Sequence, residues 1–128
     1  MKLLLDTHIL IWSKSEPSRL GKRAMAELSN GSNELWLSPV SVWEALALMQ
    51  KGRIRVENPL AWVQRAADQL REAPLTHEIV RTGFALRLPH ADPTDRFLAA
   101  TAKLFKLTLL TADQRLLGLG EIASLANR

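Results

Sequence analysis

The 128-residue chain has no cysteine, which excludes disulfides and thiolate metal sites and fits a reducing, cytoplasmic setting. Its hydrophobic fraction of 47% and charged fraction of 23% are those of a soluble domain with one core. Lys and Arg number 17 against 13 Asp and Glu, so the surface is basic and suited to a polyanionic partner.

No apolar run approaches the roughly 18 residues of a membrane span, so no membrane partner is expected. The opening MKLLLDTHILIW has one lysine and an apolar run, as a signal peptide does. Asp6 and His8 interrupt it and no small-residue cleavage site follows, so it reads as a buried strand and a helix start. Residues 2–5 are too short for a helix and form the first strand. Ile9 to Trp12 continue as a helical turn or two. Ser18 then serves as the N-cap of a helix carrying Leu20, Ala24, Met25 and Leu28. Turn residues 29–33 lead to a second strand over 34–37.

Ser38-Pro39 opens the next helix, with Ser as cap and Pro at the first helical position. That helix runs towards Gly52. A basic connector, Arg53-Ile54-Arg55-Val56, precedes a helix from Pro59 to Leu70. Pro74-Leu75 is expected as a short strand, and Thr76-His77-Glu78 begins a helix to Leu86. Asp92-Pro93 repeats the cap-and-proline start for a helix to Phe105. The TLLT run over 108–111 is a further strand, 115–119 a last short helix and 121–125 an edge strand. Short apolar strands alternating with helices predict an α/β fold with a short central parallel sheet of four to five strands. There is no internal repeat or linker, so residues 1–128 are expected to form a single domain.

In open parallel sheets, sites lie outside the carboxyl ends of the strands. Asp6 follows the first strand and Asp113 follows TLLT. Asp95 stands in the first turn of the helix before TLLT, and Glu44 in the early turns of the helix after the second strand. The four acids are thus expected at one sheet edge. Carboxylates are hard oxygen ligands suited to Mg²⁺ or Mn²⁺. Without a cation such a cluster repels itself by several kcal/mol at about 4 Å. Each acid also fits a local role. Asp6, Asp92 and Asp113 fit caps, Glu44 fits a capping box with Ser41, and Asp95 fits the helix dipole.

His8, His77 and His90 lie in different elements without paired ligand spacing, so they are not read as a zinc or acid–base set. Trp12, Trp36, Trp43 and Trp62 are read as core or interface residues rather than base-stacking platforms. Trp43, Leu46 and Met49, with Trp62 on the next helix, are candidates for an apolar groove. Arg19, Lys22 and Arg23 form one basic cluster, and Lys51, Arg53 and Arg55 another.

LLLDTHILIW, SVWEALALMQKGRI, HADPTDRFLAATA and LLTAD, in this order, resemble the PIN domain and, more narrowly, VapC-type toxins of toxin–antitoxin pairs. The resemblance extends roughly from Lys2 to Leu117. It implies a three-layer α/β/α domain and a metal-dependent endoribonuclease. Asp6, Glu44, Asp95 and Asp113 fall on the family's acidic positions, with Mg²⁺ or Mn²⁺ as the implied cofactor. Asp92 falls on a position that is often acidic. Thr7 and Thr111 match hydroxyl positions beside the acids, and Arg96 matches a D-R pair; these are implied to support the site. Thr94 stands where the subgroup has Phe. The resemblance also implies an RNA substrate, a cognate VapB-type antitoxin and a homodimer. A PIN-type nuclease acting on DNA and a non-catalytic binding module on the same fold are the alternatives. A phosphoacceptor receiver domain would need paired acids after the first strand, where Asp6 stands alone.

Overall fold

The computed structural model describes residues 1–89 and 92–128. His90, weighed above as a metal or acid–base group, lies outside the described residues. The chain runs β1 (Lys2–Leu5), α1 (Thr7–Ser15), α2 (Lys22–Ser29), β2 (Glu34–Leu37), α3 (Pro39–Gln50), α4 (Pro59–Ala67), β3 (Arg71–Glu72), α5 (His77–Ala85), α6 (Pro93–Phe105), β4 (Thr108–Thr111) and β5 (Ala123–Ala126). The strands form one sheet in the order β3-β2-β1-β4-β5, every pair parallel. Leu3 lies opposite Leu35 on one side and Thr108 on the other, so β1 is central.

Both faces of β1 are covered, which is why its sequence is continuously apolar rather than alternating. Leu4 and Leu109 pack with Leu98 and Ala102 of α6. Leu3, Leu5 and Leu110 pack with Ile9 of α1 and Ala24 of α2 on the other face. The result is a three-layer α/β/α arrangement, as expected.

Several local expectations shift. Pro17–Arg19 is a 3₁₀ turn, and Gly21, not Ser18, caps α2 without a side-chain bond. The α2 N-terminus is completed from the far end of the chain. Ala24 N donates to the Arg128 carbonyl and Gly21 N to Asn127 Oδ1. A Cβ at residue 21 would lie 1.5 Å from the Arg128 carbonyl carbon, so this contact requires glycine. The third strand is Arg71–Glu72 rather than Pro74-Leu75, and α4 ends at Ala67 rather than Leu70. Ala73 N still reaches the Leu37 carbonyl at 2.8 Å, but Pro74 has no N–H to extend the ladder. The last short helix is a single 3₁₀ turn, Gln114–Leu116. The proposed apolar groove is largely filled by the chain itself. Met49 is buried, with Leu46 and Trp62 packed against the same cluster. Trp43 and Leu60 stay exposed.

Candidate active site

The strand order places a topological switch between β1 and β4. The chain leaves β1 towards β2 and β3, then returns to β1's other side as β4. A crevice opens at such a point, at the carboxyl ends of the strands. Asp6 follows β1 there, and its backbone N–H donates to the Leu110 carbonyl of β4 at 3.0 Å. A cleft of about 340 Å³ lies at this edge, lined by Asp6, Glu44, Asp92, Asp95 and Asp113 together with His8, Trp12 and Arg115. The four acids expected at one edge thus share one cleft, and Asp92 joins them at its rim.

Asp6 is 8% exposed and Asp95 is 7% exposed. Asp6 Oδ1 accepts from the Thr7 backbone N–H at 2.7 Å, and Oδ2 accepts from the Thr111 hydroxyl. The Thr111 oxygen in turn accepts from the Asp113 backbone N–H at 3.0 Å. One hydroxyl therefore ties the acid after β1 to the backbone of the acid after β4. Burial pushes the Asp6 carboxyl above the usual carboxylate range. Its hydrogen bonds from Thr111 and Thr7 and the charge of His8 oppose the shift, and Asp113 adds to it. Thr7 is fully buried, and its hydroxyl has no hydrogen-bond partner among the described residues.

Asp95 is set in the first turn of α6 by Asp92, whose Oδ1 accepts from Thr94 N at 2.9 Å, and by Pro93 at the first helical position. Arg96, adjacent to it, projects to another element. Its Nη1 donates to the carbonyls of Gly83 (3.1 Å) and Leu86 (2.8 Å) at the end of α5. It is not among the residues lining the cleft; it anchors the helix that carries Asp95. Glu44 is half-buried in the second turn of α3, whose N-cap is Ser38.

Two cleft residues carry no signal at the level of motif. Arg115 donates Nε to Asp113 Oδ1 at 3.1 Å and Nη2 to Asp113 Oδ2 at 3.0 Å, a bidentate pair. A cation two residues after an acid is common, so spacing alone does not single it out. Trp12 lines the cleft with the Arg19 guanidinium 4.5 Å from its ring centroid and the His8 ring 5.6 Å away. That contact brings Arg19 of the first basic cluster up to a residue that lines the cleft.

The donors suit a hard divalent cation: carboxylate oxygens, one of them buried and destabilised as an anion. Among the described residues, no three His, Asp or Glu side chains stand close enough to grip one ion together. Mg²⁺ does not need such a cage. It keeps several waters and takes one or two carboxylates directly, so the residues present fit it.

The sequence pattern of the PIN domain matches residues 3–122. Ribonuclease VapC22 of Mycobacterium tuberculosis is 34% identical over 116 residues, 89% of this chain and 88% of that protein. Among solved structures, VapBC2 from Rickettsia felis bound to a DNA fragment from its promoter matches with a TM-score of 0.77 at 16% identity, covering 98% of each chain. DNA-bound VapBC from Salmonella typhimurium matches with a TM-score of 0.72 at 18% identity over 98% of each chain. At such identities the structures bear on the fold alone. The match to the domain pattern and the 34% identity across most of both chains go further: the chain belongs to the PIN domain family, and within it to the VapC type.

Proposed function

We propose that this chain is a single PIN domain acting as a metal-dependent endoribonuclease, the toxin of a cytoplasmic type II toxin–antitoxin pair. The observation that carries the reading is the convergence of Asp6, Glu44, Asp95 and Asp113, from four separate elements, on one cleft at the β1–β4 switch. The relation to a ribonuclease across most of the chain supports RNA as substrate.

Bound Mg²⁺ or Mn²⁺ supplies the activation of a water and the offset of charge on the phosphate oxygens. Asp6 and Asp113 would hold the cation together with Asp95, and Glu44 would hold a second ion or orient the water. Thr111 fixes the Asp6 carboxylate and the Asp113 backbone relative to each other. Thr7 supports Asp6 through its backbone N–H. Asp92 and Arg96 act one level further out, by starting and anchoring α6.

The partner is a cognate VapB-type antitoxin, supported by the toxin–antitoxin complexes among the structural relatives. Exposed Trp43 and Leu60, on the packed pair α3 and α4, offer apolar contact area. A homodimer completes the assembly.

The test is a cleavage-site map of total RNA with Mg²⁺, beside the Asp6→Asn variant and a DNA substrate. Discrete RNA cuts that vanish in Asp6→Asn, with the circular dichroism spectrum unchanged, are expected. Full activity in that variant would sink the site assignment, and cleavage of DNA alone would overturn the substrate.

A further inference from the structure

The cleft that gathers five carboxylates also contains one guanidinium, which no motif predicted. Arg115 is fully bound to Asp113 on its inner edge. Asp113 Oδ1 accepts from both the backbone N–H (2.9 Å) and Nε (3.1 Å) of Arg115, and Oδ2 accepts from Nη2 (3.0 Å). The pair is open to water: the Arg115 side chain is 56% exposed and that of Asp113 is 23% exposed. The hydrogen bonds that Arg115 donates to Asp113, with the charges of Asp113, Asp95 and Asp92, favour the protonated guanidinium and outweigh its partial desolvation. One cation therefore faces three acids of the cleft from its rim.

The bidentate bond occupies both oxygens of a carboxylate that the function above assigns to a divalent cation. An arginine fork matches carboxylate and phosphate equally well, because both present two coplanar or near-coplanar oxygens at similar spacing. We propose that Arg115 is the phosphate-binding residue of the cleft, holding Asp113 until a divalent cation is bound and then engaging the non-bridging oxygens of the scissile phosphate. This rests on the metal-dependent nuclease reading and adds a named residue that contacts the substrate.

The arrangement solves a problem of charge. A polyanion must approach a strongly acidic pocket, and a cation bound there offsets only part of the repulsion. A guanidinium released at the rim adds a positive charge and up to two donors where the phosphate enters. The backbone N–H of Arg115 remains on Asp113 in any side-chain variant, so the 3₁₀ turn keeps its cap.

Two measurements on full-length protein separate this role from a structural one. Arg115→Ala removes a competitor for Asp113, so Mn²⁺ alone, titrated calorimetrically without RNA, should bind up to about fivefold tighter, the scale of an exposed ion pair. The same variant, saturated with metal, should cleave RNA at least about tenfold more slowly, because a charged donor to the phosphate is gone. Arg115→Lys should recover part of the rate, since it keeps the charge without the fork. Opposite signs for metal affinity and rate support the proposal. Unchanged cleavage in Arg115→Ala overturns it, as does weaker Mn²⁺ binding together with slower cleavage, which marks a residue that merely holds Asp113 in place. Wild-type protein that neither binds Mn²⁺ nor cleaves RNA overturns the nuclease reading itself, and this proposal with it.

Discussion

Thr111 and Thr7 flank the same carboxylate and are equally conspicuous as hydroxyls beside acids, yet the structure separates them. The Thr111 hydroxyl donates to Asp6 and accepts from Asp113 N. The Thr7 hydroxyl is buried without a hydrogen-bond partner among the described residues, and only its backbone serves Asp6. Valine has nearly the shape of threonine, so substitution isolates the hydroxyl. Thr111→Val leaves a buried carboxylate and a backbone N–H short of a partner, which costs about 1–3 kcal/mol, and urea unfolding should show it along with slower cleavage. Thr7→Val removes an unpaired buried hydroxyl and should leave the unfolding midpoint unchanged or slightly higher. Equal losses in the two variants would contradict the hydrogen-bond assignment. The raised pKa of Asp6 fits the same proposal: its charged form is costly where it is buried, and a bound cation would offset that cost.

At the scale of elements, two helices starting with cap and proline aim two of the acids. Ser38 accepts from Val40 N at 3.1 Å, and Ser41 N turns back to the Ser38 carbonyl at 3.0 Å. Ser41 is therefore inside the helix, its own hydroxyl without a hydrogen-bond partner among the described residues, and the S-x-x-E capping box does not form. Glu44 is left to face the cleft from the second turn. Ser38→Ala should cost about 1 kcal/mol of stability, the usual worth of such a cap. Well below the melting temperature its cleavage rate should stay close to wild type, because Glu44 lies beyond the turn that frays. A loss of cleavage without a loss of stability would mean that Ser38 itself serves the site. Helix α6 shows the complementary design. Asp92 and Pro93 set its start, and Arg96 pins it to the α5 carbonyls, so Asp95 between them is held at the buried end of the cleft.

Over the whole molecule, the charge is uneven, with an acidic cleft and basic clusters on the surface. Five of the 13 acids line the cleft, while Arg19, Lys22, Arg23, Lys51, Arg53 and Arg55 are exposed, with Arg19 stacked on a tryptophan that lines the cleft. RNA bound through phosphates on such a surface releases counterions. Fluorescence anisotropy with Asp6→Asn, which avoids cleavage, should show affinity falling at least about tenfold from roughly 50 to 200 mM salt, as for about three phosphate contacts on a single strand. An affinity flat in salt would rule out the basic surface as the binding face.

The sequence by itself determined most of the elements and put four acids at one edge of the sheet. The short apolar segments at 2–5 and 108–111 read as buried strands, and the Ser38-Pro39 and Asp92-Pro93 starts fix helix phase locally, so Asp6, Glu44, Asp95 and Asp113 were placed by near-neighbour chemistry. Strand order was not local. Only the tertiary structure decided that β1 lies between β2 and β4, which brings residues 6 and 111 within one hydrogen bond. It likewise decided that a two-residue strand, Arg71–Glu72, closes one edge of the sheet, since a pair of exposed polar residues has no apolar pattern to read. The α2 cap supplied by Arg128 and the Arg115 fork on Asp113 belong to the same class. Both depend on where a distant backbone or a flexible side chain comes to rest, and no periodicity in the chain encodes that.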